Sequence, residues 1–278
     1  MKTNEIFDIK RFGTYWLTDL KACINQYGLA LLLIGFIGLI TYVVAGIYTL
    51  VFSGSWYSMG EVGWALMLGV GFAILIMSMS VKCYGQITEK RAGSLFLSIP
   101  VSTFEKYLSM VINIGIVFPL AYGIIYLSTN LVVSFLDPES VKFLLSYNLH
   151  DLEIVRGLFE NQIGSLTYFI SPWTMIDDAL GAAYTFLLGA IFFRKNKTVL
   201  TILAVMAFGM VLSTITSPFI INYVNDIDAL LDQYTDQEAI EYVNNMFNNM
   251  KIIDIINDIV TLIALNVAIF FRIKTLKH

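Results

Sequence analysis

Residues that build catalytic and metal sites are scarce in this 278-residue chain, which has two histidines and two cysteines. His150 and His278 are far apart, and the absence of HExxH and Cys-x-x-Cys motifs argues against an intramembrane metalloprotease. A GxxxxGK[ST] phosphate loop is also missing, so this chain is not expected to bind ATP in the usual manner of nucleoside triphosphatases. We therefore expect no enzymatic activity and no cofactor on this chain.

Charged residues are few as well, at 14% of the chain against 57% hydrophobic residues. With a mean hydropathy of +0.73, most of the mass is expected inside a bilayer, which leaves no room for a sizeable soluble domain. Cys23 and Cys83 both fall on the predicted cytoplasmic side, where thiols stay reduced, so no disulfide framework is expected. The charge pattern does not indicate a nucleic acid partner.

Six long apolar stretches predict an all-α integral membrane protein with six transmembrane helices. Each stretch holds about 20 helical residues, enough to cross a hydrocarbon layer of about 30 Å. Unbroken apolar runs do not fit the alternating strands of a membrane barrel. The stretches are residues 29–52, 62–81, 107–136, 171–193, 199–221 and 252–271. Pro119 lies inside the long third stretch and predicts a kink or a tilted span there.

The cationic residues predict the orientation of these spans. Fourteen of the seventeen Lys and Arg residues lie in four segments, 1–28, 82–106, 194–197 and 272–278, which alternate with the opposite flanks of the spans. The positive-inside rule makes all four segments cytoplasmic, so both termini are predicted inside. The predicted location is a cell membrane, specifically a bacterial inner membrane.

The chain divides into an N-terminal amphipathic interfacial helix at 1–28 and a single six-helix transmembrane domain at 29–278. Apolar residues recur at helical spacing on one side of the first segment, while polar residues occupy the other. The apolar side contains Ile6, Ile9, Gly13, Trp16, Leu17 and Leu20, and the polar side contains Asp8, Lys10, Arg11, Thr18, Asp19 and Lys21. We expect this helix to lie in the membrane interface with Tyr15 and Trp16 near the headgroups.

Two outer loops of moderate size are predicted to contain helices. The loop 137–165 opens on Asp137 and Pro138, and proline at the first helical position is a common helix start. The loop 222–251 contains Thr235 and Glu238 in a capping-box pattern, which predicts a helix that leads into the last span.

Four carboxylates are candidates for an outer polar site. Asp177 and Asp178 lie near the outer start of the fourth span, and Asp254 and Asp258 lie one turn apart near the outer start of the sixth. Carboxylates within a span are costly unless they face water or a partner. A carboxylate in the first turns also complements the positive end of its helix. Anchors at helix starts and the lining of an outward-facing cavity therefore remain as two interpretations.

Small and amide side chains in the last two spans predict helix packing. Gly209, Ser213 and Ser217 repeat every four residues in the fifth span and form a groove for close packing. Asn257 and Asn266 in the sixth span are interpreted as donors or acceptors of hydrogen bonds between helices.

The strongest local pattern is in the cytoplasmic loop 82–106, which reads EKRAGSLFLSIPVS from Glu89 to Ser102 and continues to Glu105 and Lys106. A charged stretch leads to Gly93, a short helical turn presents Leu95, Phe96 and Leu97, and Pro100 ends it because the residue before proline disfavours helix. A short apolar helix on the cytoplasmic side indicates a surface for a partner. The alternative is a helix that rests on the membrane surface.

This segment resembles the signature of permease subunits of ABC-2-type exporters. In that family the loop between the second and third spans has a charged cluster, a Gly-Thr-Leu-like step, an apolar stretch and a Pro-Val-Ser-like end, followed by a lysine. Ser94 stands where threonine is common. The six spans, the N-terminal helix and the inside termini extend the resemblance over nearly the whole chain.

The resemblance implies a channel-forming subunit that pairs with a second copy or a paralogue, with a separate ATP-binding cassette ATPase on each half. ATP and Mg²⁺ are then bound by the partner subunit. The loop helix that would dock into the ATPase corresponds to Glu89, Arg91, Gly93, Leu95, Phe96, Leu97 and Pro100. The implied activity is export of a hydrophobic or amphipathic substrate out of the cytoplasm, and membrane lipid is a further expected partner.

Two other classes of protein remain as alternatives. An ion-coupled secondary transporter would bind its coupling ion at the four outer carboxylates, but such transporters have inverted repeats with broken helices, which this sequence does not display. A membrane immunity or binding protein would use its acidic outer face to capture a ligand without translocation.

Overall fold

The computed structural model describes residues 7–56, 60–138, 172–231 and 236–276, and this part of the chain is helical apart from short turns. All six apolar stretches are helical where they are described, apart from Phe36 and Phe193. The helices are α1 (Ile9–Gly35), α2 (Ile37–Ser53), α3 (Glu61–Tyr84), α4 (Lys90–Ser98), α5 (Thr103–Ile112), α6 (Phe118–Leu136), α7 (Pro172–Phe192), α8 (Lys197–Leu231) and α9 (Asp236–Thr275). A 3-10 turn at Gly85–Thr88 follows α3, and a π-helical turn at Asn113–Val117 joins α5 to α6.

Several of these helices are long and apolar enough to cross a membrane, as expected of a multi-pass membrane protein. Four segments meet this criterion, at Gly63–Thr88, Thr103–Leu136, Lys197–Ile215 and Ile255–Thr275. A fifth is obtained when α1 and α2 are taken together as one span that bends by 43°.

The bend between α1 and α2 lies at Gly35 and Phe36, inside the stretch that the sequence predicts as one straight span. Gly35 faces α6 so closely that a Cβ there would lie 2.5 Å from Cγ2 of Ile125. Glycine is a weak helix former and a common site of kinks, which accounts for the position of the break. Helix α1 is therefore continuous across residue 28, where the sequence suggests a boundary.

The exposed side chains of α1 come from both of its predicted sides, because Lys10, Thr18 and Lys21 are exposed as well as Ile9 and Leu17. Ile9 and Leu17 are 69% and 51% exposed. Trp16 Nε1 donates a hydrogen bond to Asn113 Oδ1 at 2.8 Å, and Tyr15 is buried. The ring of Tyr15 therefore packs into the protein, and its place near the headgroups stays a prediction.

The third apolar stretch packs against α3 through tyrosines one turn apart. Tyr122 donates to the carbonyl of Leu68 at 2.8 Å, and Tyr126 donates to that of Trp64 at 2.6 Å. Both tyrosines lie on one face of α6 because four residues separate them, and the two carbonyls have the same spacing on α3. A π-helical turn ends just before Phe118, next to Pro119, while the kink or tilt predicted from Pro119 stays a prediction.

The four cationic segments meet at one end of the helix bundle. Arg11 pairs with Glu105, which joins the segment 1–28 to 82–106. Lys197 Nζ donates to the carbonyl of Gly85, which joins 194–197 to the same loop. Arg272 Nε donates to the carbonyl of Ile191 at 3.1 Å and brings the C-terminal segment to the end of α7. This end is referred to below as the basic end, and it is the end predicted to be cytoplasmic.

Helices α8 and α9 extend well beyond their apolar stretches, and most of the predicted loop 222–251 is helical. Helix α9 covers 40 residues, Asp236–Thr275, and Thr235 of the capping-box pattern lies outside the described residues. Asp254 and Asp258 are therefore in the interior of α9, so the interpretation of these two carboxylates as helix-start anchors is wrong. The segment lacks Gly and Pro between Asp236 and Thr275, which allows the helix to pass through. Residues 139–165 of the other predicted loop lie outside the described residues.

Candidate functional site

The short helix in the loop 82–106 forms where the sequence predicts it. Helix α4 begins after Glu89, whose carbonyl accepts the first bond from Gly93 N at 2.8 Å. It ends at Ser98, and Ile99 has an extended backbone with φ −63° and ψ 124°. This is the conformation that a following proline imposes, so the predicted role of Pro100 as the end of the helix is confirmed.

An apolar surface of α4 is open at the basic end. Leu95 is 64% exposed and Ile99 is 37% exposed, whereas Phe96 is half-buried and packs against the hydrophobic core. Glu89 and Pro100 are exposed at the two ends of this segment, and Gly93 is buried. The side chains of Arg91 and Leu97 lie outside the described part. We name the exposed side chains of Leu95 and Ile99 with the edge of Phe96 the α4 patch.

Lys106 fixes the C-terminal end of α4 to α5. Its Nζ donates to the carbonyl of Phe96 at 2.8 Å and lies 4.9 Å from the centre of the Phe96 ring. A cation at this place satisfies a free carbonyl and complements the negative end of the helix. The contact with the ring adds a cation–π attraction. Lys106 is 5% exposed, so it contacts α4 on the side that faces the protein, whereas the α4 patch faces outward.

Glu105, the neighbouring residue, joins the start of α5 to the start of α1. Its carboxylate accepts from the backbone N of Ser102 and of Asp8, at 3.1 and 2.8 Å. Ser102 Oγ in turn accepts from Glu105 N, which completes a capping box. Arg11 donates to both carboxylate oxygens, with Nε 2.9 Å from Oε2 and Nη2 2.9 Å from Oε1. The carboxylate is buried and fully engaged.

A second polar cluster lies one turn deeper between α1, α3 and α5. Asp19 Oδ2 accepts from Tyr84 OH at 2.8 Å, Ser109 Oγ at 2.5 Å and Asn113 Nδ2 at 3.1 Å. Asn113 Nδ2 also donates to Tyr84 OH at 2.9 Å. We name these four residues the Asp19 cluster. Sequence reasoning placed Asp19 on the solvated side of an amphipathic helix, but its carboxylate is the shared acceptor of three neighbouring segments.

A pocket of about 500 Å³ separates α4 from α1 next to this cluster. Asp19, Cys23 and Cys83 line one side of it, and Leu95, Phe96 and Ile99 line the other. Helix α4 is therefore fixed at its C-terminal end by Lys106 while a gap remains between the α4 patch and α1.

The other candidate residues lie on α7, α8 and α9. Asp177 is half-buried and Asp178 is exposed on α7, in the second turn of that helix. Asp258 is half-buried on α9, which packs against α7, and the side chain of Asp254 lies outside the described part. Among the described residues, no group of three or more His, Cys, Asp or Glu side chains is arranged to hold a metal ion.

The predicted packing groove on α8 is not filled by the described part of the chain. A Cβ at Gly209 would have no atom within 4 Å, and Ser213 and Ser217 are exposed. Asn266 behaves as predicted, because its Oδ1 accepts from Tyr107 OH of α5 at 2.7 Å.

Comparisons of this chain with protein-family models, curated proteins and solved structures gave no match.

Proposed function

We propose that this chain is the permease subunit of an ATP-binding cassette exporter, with six transmembrane helices and both termini in the cytoplasm. It moves a hydrophobic or amphipathic substrate out of the cytoplasm, and a separate ATPase subunit binds and hydrolyses ATP with Mg²⁺. The observation that carries the proposal is the α4 patch, which is exposed at the basic end on a helix that is itself fixed to the third apolar stretch.

The attachment of α4 supports a mechanical role. A partner that pushes on Leu95 acts on a nine-residue helix whose last turn is bonded to Lys106. Lys106 follows Glu105 on α5, and Glu105 is bonded to Arg11 on α1. Movement of α4 is therefore passed to two long helices at once. A helix that merely rested on the membrane would not need this buried cation.

The preference for an amphipathic substrate is supported by a groove between α5 and α9. This groove has a volume of about 540 Å³ and is lined by Phe104, Tyr107, Ile263, Asn266 and Phe270 among other residues. The polar side chains in its lining are Tyr107 and Asn266, which are hydrogen-bonded to each other, and the rest of the lining is apolar. An alkyl chain with a small polar group matches that lining.

A single substitution in the α4 patch tests the proposal. The tagged full-length chain is purified in mild detergent from its own cells, and we expect a nucleotide-binding chain and ATPase activity to accompany it. Leu95→Asp puts a charge into the α4 patch and should remove most of the accompanying nucleotide-binding chain and most of the ATPase activity. The thermal unfolding of the permease should stay unchanged, because Leu95 is exposed.

Lys274→Asp is the matched control, since it places a carboxylate at the basic end on an exposed residue of α9. It should retain the accompanying ATPase. The proposal is wrong if the Leu95→Asp protein retains a normal amount of the ATPase, or if the unaltered chain purifies without any nucleotide-binding subunit.

A further inference from the structure

A second pocket at the basic end lies away from the α4 patch, between the end of α3, the 3-10 turn and the start of α8. It has a volume of about 510 Å³. Its polar lining consists mainly of Lys82, Gln86, Glu89, Arg194, Asn196 and Lys197. We name it the α3–α8 pocket.

The charge of this pocket is not balanced within the described part of the chain. Lys82, Arg194 and Lys197 line it against one carboxylate, that of Glu89. None of the three cations lies within 4.0 Å of a described carboxylate oxygen. Lys82 and Arg194 are exposed, whereas Lys197 is 9% exposed and donates one hydrogen bond to the carbonyl of Gly85. A lysine ammonium has three donors, so Lys197 retains donors for a ligand.

Backbone donors add to these cations. The turn between α7 and α8 closes through Asn196, whose φ of 46° is in the left-handed region that asparagine tolerates. The first backbone bond of α8 runs from Leu200 N to the carbonyl of Asn196 at 2.9 Å. The N–H groups that precede it have no partner within the helix and form its positive end. Thr198 and Val199, at this end, also line the pocket.

The depth of the pocket indicates what reaches it. On α8 the apolar stretch begins at Val199, directly after the basic turn, so the pocket lies where a span meets the headgroup layer. Basic pockets between helices at this level suit anionic lipid headgroups. We propose that the α3–α8 pocket binds a phosphate group, presented by an anionic phospholipid of the surrounding leaflet or by a free phosphate ion. This site requires no ATPase and is independent of the proposed transport function.

Binding is measured on the purified full-length chain in detergent. Native mass spectrometry follows the retention of phosphatidylglycerol, with phosphatidylcholine as the zwitterionic reference, and calorimetry measures the binding of inorganic phosphate. The double variant Lys82→Gln, Arg194→Gln should bind the anionic probe about thirtyfold more weakly, because each surface cation contributes about a fivefold effect. Gln86→Glu, which adds a negative charge to the lining, should also weaken binding.

The control is Lys195→Gln, Lys274→Gln, which removes the same charge from exposed residues at the basic end that do not line the pocket. It should bind both probes as the unaltered chain does. If inorganic phosphate does not displace the retained phosphatidylglycerol, the site is assigned to lipid. If inorganic phosphate displaces phosphatidylglycerol and gives a heat of binding that the double variant lacks, the site is assigned to the free ion. Equal binding of both probes by the double variant, the control and the unaltered chain overturns the proposal.

Discussion

Arg11 and Glu105 form a bidentate ion pair across 94 positions of the sequence, with a guanidinium that is 34% exposed and a carboxylate that is fully buried. The pair joins the first turn of α1 to the capping box of α5. Because α5 also carries Lys106, which holds α4, these contacts connect three helices at the basic end.

The first prediction concerns this ion pair. Arg11→Ala leaves the buried carboxylate of Glu105 without its cation and should lower the free energy of unfolding by about 2 kcal/mol. This is less than the ~3–5 kcal/mol for a fully buried pair, because water already reaches the guanidinium. Unfolding titrations in mixed micelles measure the change. Lys10→Ala, at an exposed neighbour, should have almost no effect, and a similar loss in both variants would contradict the role of the pair.

The Asp19 cluster gives a second prediction. Asp19→Ala removes the oxygen that accepts three hydrogen bonds and leaves Tyr84, Ser109 and Asn113 without this acceptor, so we expect a loss of about 2 kcal/mol. Adding Tyr84→Phe should then cost less than it does alone, since its bond to Asp19 is already lost. A double-mutant cycle in the same unfolding assay measures this. Strictly additive losses would show that the four residues do not act together.

The helices of this protein could be predicted from its sequence, because apolar stretches of span length have few alternatives in a bilayer. The end of α4 before Pro100 was also predictable, since it depends on a local rule about the residue that precedes proline. No local rule of this kind predicts the interior position of Asp258 in α9. The apolar stretch suggested a helix start at residue 252, but nothing in the preceding polar sequence interrupts the helix.

The contacts of the candidate site could not be predicted in the same way. Asp19 and Arg11 have the spacing of a solvated helix face, and periodicity does not distinguish water from a polar partner. The partners are Ser109, Asn113 and Glu105, which are about 90 positions away. A signal was nevertheless present, because Glu105, Ser109 and Asn113 recur at four-residue spacing, which places three polar groups on one face of a helix at the start of the third predicted span.

Lys106 should determine the order of the last turn of α4. Lys106→Met retains the length of the side chain but removes the bond to the Phe96 carbonyl and the cation over its ring. Amide hydrogen exchange at residues 95–98 should become at least about tenfold faster, since a charged hydrogen bond contributes about 1.5–3 kcal/mol. Lys195→Met, on an exposed turn, is the control. Unchanged exchange in the Lys106→Met protein would exclude Lys106 as the anchor of α4.

The open groove on α8 predicts where a second copy of the chain packs. Gly209→Leu fills a position that has no neighbour within the described chain, so the monomer should keep its stability while self-association weakens about tenfold. Ala207→Leu adds the same bulk on a different face of α8 and should leave association unchanged. Subunit counting in nanodiscs as a function of protein concentration distinguishes the two. Equal association of both variants would place the contact between copies elsewhere.

A close contact between helices in the core gives the last prediction. A Cβ at Gly38 of α2 would lie 2.6 Å from the Trp64 ring and 2.8 Å from Tyr126 OH. Both aromatic side chains are fully buried, and Tyr126 is bonded to the Trp64 carbonyl, so neither can move aside. Gly38→Ala should therefore lower the free energy of unfolding by about 1–3 kcal/mol, the usual cost of an overpacked core.

Gly123→Ala on α6 is the matched control, because a Cβ there meets no atom within 4 Å and alanine favours helix. It should leave stability unchanged or raise it slightly. If Gly38→Ala is as stable as Gly123→Ala, then α2 does not approach α3 and α6 this closely.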